Sequence, residues 1–305
     1  MILCLDIGGT AVKMGMCDRE GRLLVRHEAS VCYDDYRTPI LDTVLRESLA
    51  FAAAHPEYPV EGIGISATGQ VDDRAGIVIG TNGRIPGYEG SRLKEAAERA
   101  FGVHAWALND ANSAALGECF AGRAKGHANV IMVTLGTGVG GGIVLGGRLY
   151  GGARGIAGEL GHFTLYADGV RCTCGKHGCF ECYASTSALE RRVREHEGVA
   201  LTGREIFARA EQGDAGITRV LQDWIQDVAQ GLSGLVHIFN PEMLLIGGGV
   251  SRQEKLLMEP LRAAVYASVM PRFAEGLEIV AATLGNDAGM IGAAKWYMDC
   301  EKAWG

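Results

Sequence analysis

Residues 2–7, ILCLDI, form an apolar run broken only by Asp6 and halted at Gly8-Gly9, which predicts a buried strand ending in a tight turn. A second run, AVKMGMCD (11–18), passes through a polar turn at 18–21 into a third, RLLVRHEA (22–29). Three strands joined by short turns, with a helix after them, predict an antiparallel βββα unit. Ile40, Leu41, Val44, Leu45 and Leu49 fall at helical spacing within 38–55, and Pro56 and Pro59 stop that helix. EGIGISATG (61–69) predicts a strand running into a loop, 91–101 an amphipathic helix, and VHAWALND (103–110) a strand that carries Asn109 and Asp110 to its end. Asn112 or Ser113 is expected to cap the helix that follows.

The pattern then recurs. Residues 130–150, VIMVTLGTGVGGGIVLGGRLY, read as strand, glycine turn, strand and a Gly-Arg-Leu turn, as the opening segment does with its GGT turn and Gly21-Arg22-Leu23. Two related lobes with a cleft between them are expected. LVHIFNPEMLLIGGGVS (235–251) predicts a helix end, a strand and a third glycine turn, and 288–303 a closing helix. WIQDVAQGLSGLVHIF (224–239) predicts a buried or dimer-forming helix, and LERRVREHEG (189–198) a solvated helix face.

Composition narrows the function. A length of 305 residues with 48% hydrophobic and 21% charged residues suits a globular chain of about two domains. No apolar run reaches membrane-spanning length, and the opening MILCLDIGGT is expected to be a first strand rather than a signal peptide, so no membrane partner is expected. The net charge of -7 argues against nucleic acid, which calls for a basic patch. Five of the nine cysteines (Cys4, Cys17, Cys32, Cys119 and Cys300) are scattered singly, a usage that points to a reducing, cytoplasmic compartment. The 45 glycines are roughly twice the usual share of ~7% and gather in turns, where a missing Cβ lets backbone amides approach a ligand.

The P-loop pattern is absent, and GTGVGGG lies between two strands where a dinucleotide fingerprint would open a helix. The set DIGGT, LGTGVGGG and IGGGVS instead resembles the two phosphate loops and the adenosine loop of the actin–hexokinase–Hsp70 superfamily. That resemblance implies an ATP site built from Asp6, Gly8, Gly9, Thr10, Lys13, Gly136, Thr137, Gly138, Gly248 and Gly249. Asp6 would hold Mg²⁺ through water, since a hard cation prefers carboxylate oxygen.

CTCGKHGC (172–179) places Cys172, Cys174 and Cys179 within eight residues. Three soft thiolates this close suggest a structural Zn²⁺, which takes four ligands in a tetrahedron; a redox disulfide is the competing reading. The fourth ligand has three candidates. His177 lies in a tight loop that turns its ring outward, Cys182 makes a C-x-x-C pair with Cys179, and His162 would tie GELGH (158–162) to the thiols.

GELGH followed ten residues on by CTCGKHGCFE resembles the signature of the ROK family of sugar kinases, and the likeness extends over essentially the whole chain. It implies the zinc set His162, Cys172, Cys174 and Cys179. It also implies sugar contacts at Gly69, Asn82, Asn109, Glu159, His162 and Glu181, with Asp110 as the general base for phosphoryl transfer from ATP to the 6-hydroxyl of a hexose or N-acetylhexosamine. The fold implied is the two-lobed actin-like (ribonuclease H-like) α/β ATPase fold, with a mixed sheet flanked by helices in each lobe. A small lobe would comprise 1–118 with 289–305, and a large lobe 119–288 would carry the zinc loop. A homodimer is implied by the likeness alone.

The family also contains sugar-responsive repressors, so a non-catalytic regulator or binding protein is the alternative; the first strand at residue 2 is expected to leave no room for a DNA-binding helix-turn-helix. SATGQVD (66–72) departs from the proline-bearing loop of many glucokinases in the family. TGQVDDRAGIVI (68–79) and CGKHGCFECYAS (174–185) are similar to N-acetylmannosamine kinases, with Gln70 expected beside the sugar's 2-position. Glucose, N-acetylmannosamine and β-glucosides all remain candidate substrates.

Overall fold

The computed structural model describes every residue except Tyr33, Asn82, Gly83, Arg84 and Gly305, together with all side chains of the described residues but that of Trp304. The chain divides into two compact units. Unit 1 comprises Met1–Gly126, Leu149–Ala157 and Asn286–Gly305; unit 2 comprises His127–Arg148 and Gly158–Gly285.

Unit 1 is organised by β1 (Ile2–Ile7), β2 (Ala11–Cys17) and β3 (Leu23–Ser30), the antiparallel meander its apolar runs predict. After α1 (Ile40–Ala54), β4 (Gly62–Ala67) joins β1 in parallel, so the sheet changes direction in the middle. The hairpin β5 (Gln70–Asp72) and β6 (Ile77–Gly80) and the helix α2 (Leu93–Phe101) follow. Then β7 (Ala105–Asn109) completes the order β3-β2-β1-β4-β7 and runs directly into α3 (Asp110–Ala121). Along β1 the side chains alternate between two faces, as strand geometry requires. Leu3, Leu5 and Ile7 enter one apolar cluster, while Ile2 and Cys4 pack against Met290, Ala294 and Tyr297 of the closing helix. Both faces of β1 are covered, which is why its sequence reads as continuously apolar.

Unit 2 repeats the plan. The antiparallel β8 (Val130–Leu135), β9 (Val139–Leu145) and β10 (Arg148–Leu149) precede a helical stretch. That stretch contains α4 (Glu181–Ala184), α5 (Thr186–Glu197), α6 (Gly203–Glu211) and α7 (Ala215–Phe239). The parallel β11 (Met243–Gly247) follows, then α8 (Glu259–Ser268), α9 (Pro271–Ala274) and β12 (Glu278–Ala281). The sheet order β10-β9-β8-β11-β12 matches that of unit 1 strand for strand. One face of α7, including Trp224, Ile225, Val228 and Leu232, is buried in the core of this unit. Among the described residues no helix is long and apolar enough to cross a membrane.

The closing helix α10 (Ala288–Trp304) returns to unit 1 and packs on α3 and β4, with backbone meeting backbone at three glycines. A Cβ at Gly292 would overlap the Ser113 carbonyl oxygen, one at Gly117 the Ala288 carbonyl oxygen, and one at Gly64 the Ala293 carbonyl oxygen. No rotamer change relieves a clash with backbone, so the helix itself must shift. Gly292→Ala is therefore expected to destabilise unit 1 by about 1–3 kcal/mol, read as a lower denaturation midpoint; an unchanged midpoint would show that α10 can move away without cost.

Candidate active site and metal centre

In unit 1, Asn109 ends β7 and Asp110 begins α3. The helix cap is Asn109, not Asn112 or Ser113: its side chain accepts from the N–H groups of Ala111 at 3.0 Å and Asn112 at 3.1 Å. Asn112 and Ser113 are instead buried inside the helix. The expectation failed because the strand runs into the helix without a loop, which moves the cap three residues upstream. The Asn109 amide donates to the Gly69 carbonyl at 2.8 Å and to Asp110 Oδ1 at 3.0 Å, and the Ala111 N–H also donates to Asp110 Oδ1 at 2.8 Å. Gly69 has a φ of 88°, in the left-handed region that a glycine tolerates, so its carbonyl can face Asn109. These contacts hold the Asp110 carboxylate at a helix N-terminus, where negative charge is favoured.

Asp6 stands near the end of β1. Ser66 donates to its Oδ1 at 2.7 Å, and Lys13 of β2 pairs with Oδ2 at 3.1 Å. Each oxygen keeps a second acceptor site, which suits a carboxylate that holds a hydrated cation. The turn after it is braced from outside: Tyr36 donates to the Gly9 carbonyl at 2.5 Å, and the Gly8 N–H bonds the Ala11 carbonyl at 2.9 Å. Thr10 completes this turn and is exposed. Asn82 lies outside the described residues.

In unit 2, the turn 136–138 between β8 and β9 borders a cavity of about 340 Å³. Leu135, Gly136 and Thr137 form one part of its wall, the first residues of α5 (Thr186, Ser187) and α6 (Gly203, Arg204) another, and Gly249 and Val250 a third. Gly248, beside them, has a φ of 94°, and a Cβ there would overlap the Leu135 carbonyl. The cavity wall is tied together by hydrogen bonds: the Thr186 N–H donates to the Gly136 carbonyl at 2.8 Å, and the Gly203 N–H donates to Glu190 at 2.8 Å. Glu181, the first residue of α4, accepts from the Val139 N–H at 3.0 Å. A Cβ on Gly138 would strike that carboxylate, so the glycine turn and Glu181 are mutually fitted.

The thiol loop is folded back on itself. The Cys172 N–H bonds the Lys176 carbonyl at 2.7 Å, and the Leu165 N–H bonds the Gly178 carbonyl at 2.8 Å. One ligand atom from each of His162, Cys172, Cys174 and Cys179 falls within a 4.8 Å span. The Cys172 sulfur is 3.7 Å from His162 Nδ1, and the Cys174 and Cys179 sulfurs are 3.5 Å apart. Tetrahedral zinc with bonds of about 2.0–2.3 Å separates its ligands by roughly 3.5–3.8 Å, so the set fits that ion. Burial, reinforced by the neighbouring thiols, pushes Cys179 up to about 12. His162 presents Nδ1 to the thiols, and its Nε2 lies 4.0 Å from the Glu159 carboxylate. Cys182 points its sulfur at the Arg171 carbonyl at 3.9 Å, and His177 turns to the Gly169 carbonyl at 3.1 Å.

Sequence reasoning missed the outer support of this loop. Tyr166 donates to Asp227 of α7 at 2.5 Å, Arg192 of α5 pairs with the same carboxylate, and the Val170 N–H donates to the Tyr183 hydroxyl at 2.7 Å. It also missed Glu190, Arg204, Phe207 and Gln253 on the cavity wall. A capping box at Thr202 and Glu205 marks where α6 starts, and was the available signal for that wall.

Known proteins resemble this chain over nearly its whole length. The glucokinase of Thermotoga maritima is 33% identical over 307 residues, spanning 96% of this chain and 96% of that protein. The beta-glucoside kinase of Klebsiella pneumoniae is 35% identical over 295 residues, 96% and 94% of the two chains. Among solved structures, a ROK family glucokinase from Streptomyces griseus in complex with glucose and AMPPNP shares 33% identity. It aligns over 96% of this chain and 98% of its own with a TM-score of 0.79, which establishes the actin-like α/β fold. The ROK family model itself matches residues 2–299, and with the paired sheets, the glycine turns and the histidine–thiol cluster all in place, this chain belongs to the ROK family.

Proposed function

We propose that this protein is an ATP-dependent sugar kinase that phosphorylates the 6-hydroxyl of a hexose or N-acetylhexosamine. The observation that carries the reading is the cavity of unit 2, where a glycine turn and the N-termini of α5 and α6 border one space of about 340 Å³. That volume suits a small ligand, and amides at helix starts favour an anionic one. The relatives named glucokinase and the relative that binds glucose and AMPPNP support the same assignment.

In this reading the Gly136–Thr137–Gly138 turn and Gly8, Gly9 and Thr10 offer amides and hydroxyls to the phosphates, while Gly248 and Gly249 leave room for the base. Asn109, Glu159, His162 and Glu181, with the Gly69 turn and Asn82, bind the sugar hydroxyls. Asp110 takes the proton of the 6-hydroxyl as that oxygen bonds to the γ-phosphorus; the bond from phosphorus to the β–γ bridging oxygen breaks, and ADP leaves with the electron pair. Mg²⁺ bound with ATP supplies charge neutralisation on the phosphates, and Asp6 is the carboxylate that would hold it through water. A structural zinc on His162, Cys172, Cys174 and Cys179 would fix the orientation of Glu159 and Glu181. We read the chain as cytoplasmic and homodimeric.

ADP release should be seen with at least one of glucose, N-acetylmannosamine and a β-glucoside; none from any of the three would remove the kinase reading. Asp110→Asn is expected to lower kcat by about 10²–10⁴-fold, with sugar affinity by calorimetry changed less than about threefold. Full turnover in that variant would mean another group accepts the proton. Elemental analysis of protein purified without chelator should find about one zinc per chain. Cys172→Ser should lower that occupancy, and wild-type protein free of zinc would sink the metal assignment.

A further inference from the structure

Three neighbouring strands of unit 1 each carry one charged or hydroxyl-bearing residue within an otherwise apolar run: Lys13 in AVKMGMC, Asp6 in ILCLDI and Ser66 in GIGISA. The register places Lys13 opposite Asp6 in the antiparallel pair and Ser66 opposite Asp6 in the parallel pair. The three therefore stand in one row across β2, β1 and β4. Asp6 alternates in phase with Ile2 and Cys4, so it lies on the face of β1 that α10 covers. Gly289, in the first turn of α10, is its neighbour there: a Cβ on that glycine would stand 2.8 Å from Asp6 Oδ1 and 3.1 Å from the Ser66 hydroxyl oxygen.

The Asp6 carboxylate is thus bounded on three sides. Ser66, fully buried, donates to Oδ1 at 2.7 Å, Lys13 pairs with Oδ2 at 3.1 Å, and the start of α10 leaves no space for a side chain beside Oδ1. A buried hydroxyl needs a partner to offset its lost hydration, and an alanine, as at the adjoining Ala67, would fill the strand position without that requirement. The serine is explained by the carboxylate it bonds, not by the core around it. Such support matters most for a group that acts at one remove. A carboxylate that meets a cation through water has no direct bond to the metal to orient it, so its direction must come from the protein.

We propose that Ser66 is a positioning residue for Asp6: its hydroxyl holds Oδ1 in one orientation, Gly289 keeps the space beside it clear, and the remaining acceptor sites of the carboxylate are left for the water shell of nucleotide-bound Mg²⁺. The proposal rests on the reading in which Asp6 holds Mg²⁺ through water, and no bond of the reaction is made or broken at Ser66.

The test follows ADP binding by calorimetry across a Mg²⁺ titration for wild type, Ser66→Ala and Gly289→Ala, with thermal denaturation and a coupled ADP-release assay alongside. Wild type should bind ADP more tightly as Mg²⁺ is added. In Ser66→Ala the Mg²⁺ concentration that gives half of this gain should rise about tenfold, while ADP affinity in Mg²⁺-free buffer and KM for sugar stay within about twofold. Gly289→Ala should shift the midpoint in the same direction with the hydroxyl intact, because its methyl displaces the carboxylate, and its Tm should hold or rise, alanine being the better helix former. An unchanged midpoint in Ser66→Ala would overturn the proposal. So would an equal loss of ADP affinity with and without Mg²⁺, which marks a role in the fold alone, or a wild type whose ADP binding ignores Mg²⁺. Should Ser66→Ala melt below the assay temperature, the midpoint of Gly289→Ala decides by the same criterion. Absence of turnover on every sugar removes the kinase reading alone, since the Mg²⁺ midpoints are read without sugar.

Discussion

At Gly292 the backbone of α10 meets the Ser113 carbonyl of α3 with no side chain between them, and at Gly64 the β4 backbone meets the Ala293 carbonyl in the same way. Contact of this kind leaves a helix almost no freedom to slide or tilt, because carbonyl oxygens cannot repack as side chains do. It fixes α3, and with it the first residue of α3, Asp110, against the end of β4. Unit 2 uses the same device where Gly248 meets the Leu135 carbonyl, which sets the third glycine turn against the end of β8. At these positions glycine is a packing constraint, because a Cβ would meet backbone that cannot repack.

The same constraint separates what could be read from the sequence from what could not. The strand meander, the turn residues and the internal repeat are local patterns with a period of two and a glycine stop, so the matching order of the two sheets was open to inspection of the chain. The thiol cluster was equally visible, since Cys172, Cys174 and Cys179 lie within eight residues. Its fourth member was not: the spacing left His162, His177 and Cys182 all open, and only the family likeness chose His162, which the fold brings 3.7 Å from Cys172. The β5–β6 hairpin gave too short a signal to separate from a loop. The cavity wall escaped for a different reason. Leu135, Glu190, Arg204 and Gln253 come from four separate places in the chain, and no period or motif records that they converge. The same holds for Asp227, which sits 61 residues from Tyr166 and 35 from Arg192, yet bonds both.

The thiol loop illustrates how a local cluster is given a definite orientation. Phe163 and Phe180 stack with centroids 4.9 Å apart, and Gly231 on α7 lacks the Cβ that would strike the Phe180 ring. One side of the loop is thus set into the core of unit 2, and the other is held by Tyr166, Tyr183 and Asp227. A metal at the four ligand atoms would act on a loop whose ends are already placed, so its contribution lies in holding the region from 172 to 179, between those anchors. Glu159 and Glu181 flank that region in sequence, one beside His162 and the other two residues after Cys179, so rigidity there passes directly to the two carboxylates proposed to face the sugar.

The environment of Asp110 bears on the chemistry asked of it. The Asn109 amide and the Ala111 N–H both donate to its Oδ1, and the N-terminus of α3 adds a favourable dipole. All three act on one oxygen or at the helix start, so they fix where the carboxylate sits. In phosphoryl transfer through a loose transition state the attacking oxygen carries little bond order to phosphorus, and the hydroxyl becomes acidic only as that bond forms. What the step then needs is a carboxylate that stays ionised and stays in place. In the role proposed for Asp110, pinning at one oxygen by the helix start and the capping residue meets that need.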